Sequence, residues 1–132
     1  MSRRKENVAN ARKDAMKTTY IARLNNVPTS PRKMRLVADL IRGQEVFKAL
    51  NILRFTNKEA AGRLEKLLRS AIANYEKKSG STAQADALFV KTVMVDSATM
   101  LKRISAAPQG RAHRIRKRSN HITLIIDEIK TA

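Results

Sequence analysis

Between Ser97 and Ser119 the chain carries Lys102, Arg103, Arg111, Arg114, Arg116, Lys117 and Arg118 and not one Asp or Glu. Fixed positive charges at this density suit one chemistry. Each can neutralise a phosphate and release the cations condensed on it, which drives binding to a nucleic acid whatever its base sequence. A second set, Arg32, Arg35 and Arg42 with Lys33 beside them, recurs through a helical pattern. Such a stripe by itself reads equally as a solvated helix face. It is read as a second phosphate-facing surface on the expectation that no acid compensates it.

The inventory for catalysis is poor. Acids, bases or nucleophiles would have to gather in a cleft, and the chain offers two histidines, no cysteine and scattered carboxylates. Neither His113 nor His121 has a second histidine at helical ligand spacing, so no metal site and no cofactor are expected. His113 is instead expected to hydrogen-bond or stack against RNA, and His121 to make a contact at the base of the arm that carries the basic segment. Gln109-Gly110-Arg111 lacks the spacing and following helix of a phosphate-binding glycine loop and reads as a turn. Phe47, Phe55 and Phe89 sit in apolar patterns and read as core, with no aromatic row to stack single-stranded bases.

A chain of 132 residues has room for one modest core. Its 28 Lys and Arg against 11 Asp and Glu give a formal charge of +17, and self-repulsion on that scale calls for a polyanionic partner. No apolar run approaches the roughly 20 residues of a spanning helix, and no apolar stretch follows the first basic residues as a signal peptide requires. A cytoplasmic protein is expected, and the absence of cysteine agrees.

The elements that must present these charges can be read from pattern. Met1 to Lys17 is basic with little to bury and is expected to be a disordered tail when free, leaving 18–130 as one domain. Thr18 to Leu24 reads as an edge strand ending at an Asn25-Asn26 turn. Thr29-Ser30-Pro31 starts a helix, with Ser30 accepting an orphan amide and Pro31 in the first turn. Met34, Val37, Ala38 and Ile41 give its buried face, and Gly43 ends it. A short helix around Val46 to Leu53 follows and closes before Thr56. Thr56-Asn57-Lys58-Glu59 matches a capping box opening the longest helix, which buries Ala60, Leu64, Leu67, Leu68, Ala71, Ile72 and Tyr75 and stops at Gly80. Ser79 to Ala85 is a connection. Leu88 to Val95 and Ile122 to Ile126 read as strands that pair and pack on the helices.

The segment between those strands cannot supply its own core. If Leu88 to Ile104 is extended it spans about 55 Å, so its outer half must project beyond a small domain. The result is a hairpin over 97–119, turned at Pro108-Gln109-Gly110.

Ser30-Pro31-Arg32-Lys33, Leu36 to Gly43, Ser70 to Asn74, Lys102-Arg103-Ile104, Gly110-Arg111-Ala112 and Lys117 to Ile122 follow one another in an order that resembles the family of large-subunit ribosomal protein twenty-two, bacterial type. The resemblance runs from about Ala22 to Glu128. It implies an α+β domain, three helices on a small antiparallel sheet with a long protruding β-hairpin. It also implies a structural, non-enzymatic role. The protein would bind large-subunit ribosomal RNA, aid assembly and approach ribosomal protein four. Its hairpin tip, Ser105, Ala106, Ala107, Pro108, Gln109 and Gly110, would line the exit tunnel against the nascent peptide, and no homo-oligomer is expected. Relatives usually carry Pro-Arg-Ala-Lys-Gly where this chain has Ala106 to Gly110, two positive charges fewer. Glu-Gly-Pro is replaced by Ser97-Ala98-Thr99.

Two other readings compete. Architectural DNA-binding proteins also carry basic β-arms with a proline near the tip, but here no helix follows the last strand to build a dimer body. An RNA-processing enzyme would need turnover dependent on His113 or His121.

Overall fold

The computed structural model describes residues 3–83 and 88–129. The described elements run α1 (Arg3–Lys17), β1 (Tyr20–Val27), α2 (Pro31–Ile41), α3 (Val46–Phe55), α4 (Glu59–Ser79), β2 (Leu88–Ser97), β3 (Leu101–Ala106), β4 (Ala112–Lys117) and β5 (Asn120–Glu128). An antiparallel sheet of order β1-β5-β2 forms the floor of the body, and β3-β4 is a separate two-stranded ribbon. The expected α+β architecture holds, with α2, α3 and α4 as its three packed helices. The expected connection from Ser79 to Ala85 lies partly outside the described residues.

The core follows from two periodicities. Met34, Val37, Ala38 and Ile41 of α2 and Leu64, Leu67, Leu68, Ala71 and Tyr75 of α4 are buried at helical spacing. They meet the alternate residues Ile122, Leu124 and Ile126 of the central strand. The edge strands keep this alternation by means of bulges. In β2 the register shifts between Val90 and Thr92, so the buried positions step from Leu88 and Val90 to Val93 and Val95.

In β1 the shift falls between Leu24 and Val27. The expected turn at Asn25-Asn26 is therefore a bulge within a longer strand. Asn26 takes a left-handed φ of 54°, a conformation that asparagine tolerates better than most residues. Its N–H donates to His121 Nδ1 at 3.1 Å.

Other local expectations are corrected. Ser30 occupies the cap of α2, yet its side chain makes no capping hydrogen bond. The capping box does not form, because α4 starts one residue after Lys58 and the Thr56 hydroxyl donates backward to Ile52 O at 2.6 Å, closing α3 instead. Phe55 is 84% exposed rather than core, and Phe47 is also exposed. Apart from these corrections, Arg3–Lys17 of the expected tail is helical as α1 and buries no residue along its length, so no core holds it.

Asn120 is the buried polar residue of the described body, at 0% exposure. It opens β5 and pairs with both Val27 and Ser97, and its Nδ2 donates to Thr29 O at 2.7 Å. Asn120→Ala is expected to lower unfolding free energy by about 1–2 kcal/mol, since it empties a fully buried site and takes the donor from the Thr29 carbonyl, offset in part by removing the partnerless Asn120 Oδ1. Arg114→Gln on the exposed ribbon should change it by less than about 0.5 kcal/mol. Urea denaturation followed by circular dichroism measures both; equal midpoints for the two variants would show that Asn120 is not a structural lock.

Candidate nucleic-acid interface

Every residue of β3 and β4 is exposed. The ribbon leaves the body where β2 meets β5, and the Ala98 N–H donates to Ser119 O at 2.9 Å across its root. At the far end Gln109 and Gly110 both take positive φ, 62° and 70°. Such left-handed pairs suit the twist of a tight hairpin. The Ala107 N–H donates to Arg111 O at 2.9 Å, and the Arg111 N–H reaches Pro108 O at 3.5 Å. The turn therefore lies where the sequence places it.

Cross-strand pairing decides how the charges are displayed. Lys102 faces Arg116 and Ile104 faces Arg114 on one side of the ribbon. Leu101 faces Lys117, Arg103 faces Ile115 and Ser105 faces His113 on the other. Both faces are basic. A ribbon bound along one side would leave a compensated outer face, whereas this one suits a partner that surrounds it. Arg111 and Arg118 sit just beyond the two ends of β4 and are exposed.

The α2 stripe divides. Arg32 and Lys33 are exposed. Arg35 and Arg42 are exposed too but engaged: Arg35 lays Nε and Nη2 on Val95 O, at 3.3 and 3.0 Å, and Arg42 reaches Val93 O at 3.2 Å. Asp39 lies 3.0 Å from the Arg42 guanidinium, which corrects the expectation that no acid compensates this stripe. Arg35 and Arg42 serve the sheet edge and keep only their remaining N–H groups for a ligand. His121 is likewise occupied at the ribbon's root by Asn26, as the contact expected there, while His113 is exposed near the tip.

One feature escaped sequence reasoning. A cleft of about 700 Å³ opens between the ribbon's root and the starts of α2 and α4, lined among others by Thr29, Lys33, Leu36, Lys58, Leu101 and Lys117. The available signal was Leu36, a large apolar residue off the buried face of α2 and 70% exposed.

A family model described as "Ribosomal protein L22p/L17e" matches residues 22–127. The chain belongs to that family. Proteins described as "Large ribosomal subunit protein uL22" are similar along nearly its whole length. That of Parabacteroides distasonis is 64% identical over 129 residues, covering 98% of this chain and 95% of the relative. That of Porphyromonas gingivalis is 60% identical over 129 residues, covering 98% and 96%. That of Flavobacterium johnsoniae is 61% identical over 130 residues, covering 98% and 95%. The L22p/L17e match begins after α1, but these longer alignments take in most of that helix as well.

Affinity of this L22p/L17e member for a structured RNA should fall steeply as salt rises. Replacing Arg114, Arg116 and Arg118 together by Gln should flatten the slope of log K against log salt by about 2–3 units, from loss of three phosphate contacts. Filter binding between low and moderate salt reads the slope; an unchanged value would remove the ribbon from the electrostatic interface.

Proposed function

We propose that the protein is a structural constituent of the large ribosomal subunit, not an enzyme, and that it anchors itself by threading the β3-β4 ribbon into folded large-subunit RNA. The single observation that carries this reading is a ribbon exposed along its whole length, basic on both faces and free of acids. A two-stranded ribbon of this kind is marginal in water by itself. Phosphates on both sides supply what the missing core does not. Family membership and the names of the relatives support the ribosome as the host. The cytoplasm follows from that host, and no described helix is long and apolar enough to cross a membrane.

Lys102, Arg103, Arg111, Arg114, Arg116, Lys117 and Arg118 hold phosphate in this reading, with Arg32 and Lys33 on the body. Arg35, Arg42, His113 and His121 contribute through the donors they have left. The tip, Ser105 to Gly110, carries no charge and lines the nascent-peptide tunnel near ribosomal protein four. Assembly is aided because the ribbon, once surrounded, fixes the RNA segments it touches relative to the body. The duplex-DNA alternative predicts preference for duplex over large-subunit RNA in competition.

We further propose that 3–17 and the ribbon order only against RNA, since neither buries enough surface to offset its ordering entropy. Hydrogen exchange of the free protein should be fast across 3–17 and 101–117 and slow in β5. Slow exchange in the first two segments of the monomer would contradict this.

Tip and flanks are separable. Replacing Ala106 to Gln109 by a short Gly turn should leave incorporation into large subunits nearly intact while altering translation of a stalling peptide and the action of a tunnel-binding inhibitor. Replacing Arg116, Lys117 and Arg118 by Gln should impair incorporation first. Loss of incorporation on tip removal, with harmless flank replacement, would reverse the proposed division of labour.

A further inference from the structure

We infer that the cleft at the ribbon's root receives one unstacked nucleotide of the RNA, its base on the apolar floor and its phosphates on the rim. The inference rests on the RNA-anchoring role proposed above and gives it a local subsite.

The floor is apolar and accessible, and its exposed leucines lie together inside a cleft rather than singly on an open surface. Leu36 is 70% exposed and Leu101 58% exposed, and both line a cleft whose volume of about 700 Å³ is ample for a nucleotide. The rim is cationic, with Lys33 from α2, Lys58 before α4, and Arg116, Lys117 and Arg118 from the ribbon's return. Its acid, Glu59, is already engaged by Arg63 at 2.8 Å.

Backbone dipoles add to this field. The starts of α2, 11 residues long, and α4, 21 residues long, both border the cleft, and neither has a side-chain cap hydrogen bond. Uncapped N–H groups at a helix start favour an anion. Thr29, which joins β1 to α2, completes the lining between the two helix starts.

A bare phosphate would use the rim and leave the leucines wet; a protein side chain would use the leucines and leave the cations unpaired. An unstacked nucleotide uses both. Single-stranded bases splayed from folded RNA are the form in which RNA commonly presents apolar faces to protein.

The test compares large subunits reconstituted with the full chain and with a Leu36→Ser/Leu101→Ser variant. Both side chains are exposed, so the variant folds if its circular dichroism is unchanged; if it is not, Lys58→Gln at the exposed rim is probed instead. Base-specific probes of Watson–Crick edges, dimethyl sulfate and a carbodiimide, are applied alongside a backbone cleavage probe. At least one unpaired base should be protected by the wild-type chain and lose that protection in the variant, with affinity reduced about tenfold. Backbone protection along the ribbon should persist. Identical base reactivity in the two particles, or a crosslink from position 36 to protein rather than RNA, would overturn the inference. Failure of the wild-type chain to protect any RNA would overturn the anchoring role itself.

Discussion

The hydrogen bond from Asn120 Nδ2 to Thr29 O, 2.7 Å long, stands where four parts of the chain meet. Asn120 ends the pairing of β5 with β1 at Val27 and with β2 at Ser97, and through Thr29 it sets the entry of α2. One residue before it, Ser119 O receives the Ala98 N–H, and beyond that point the ribbon has no contact with a core. A free-standing element can be aimed only from its root. Everything the basic side chains can reach is therefore set by a polar group placed where the sheet runs out, and its burial makes the geometry costly to change.

The division of charge follows the division of packing. In the body, cations settle on carbonyls and carboxylates: Arg35 and Arg42 on β2, Arg63 on Glu59, Arg69 on Glu65, Lys91 on Asp127. In the ribbon there are no carboxylates to settle on. The body thus compensates part of its positive charge internally, while the ribbon, which holds no acid, compensates none of its own and leaves it for phosphates to relieve.

How far the sequence could be read depends on the range of the interactions concerned. Helix α2 and its end at Gly43, the stop of α4 at Gly80 and the turn at Gln109-Gly110 are local matters of glycine, proline and periodicity, and all were legible. The bulges were not, because a register shift is decided by the partner strand; at Asn25-Asn26 the local signal for a turn was real, but pairing of Val27 with Asn120 carried the strand onward. Thr56 likewise had two helices to serve and closed the earlier one. At the candidate interface the ribbon's cations were evident from acid-free composition, whereas the diversion of Arg35 and Arg42 depends on β2 lying 51 to 60 residues further along the chain. The cleft was invisible for the same reason, since its walls come from α2, α4 and the ribbon.

The outer margin of β2 has a consequence for life outside the ribosome. Gly43 and Gln44 exchange hydrogen bonds with Val90, Glu45 bridges to Phe89, and the two arginines cover Val93 O and Val95 O. The Val90 N–H and the carbonyls of Val90, Val93 and Val95 are thus already engaged by the chain's own α2-α3 corner and guanidinium groups, so a neighbouring strand finds fewer groups to pair with. A chain released from synthesis before its RNA is ready thus has one side of its sheet partly covered against copies of itself, and that protection does not wait for any polyanion to arrive.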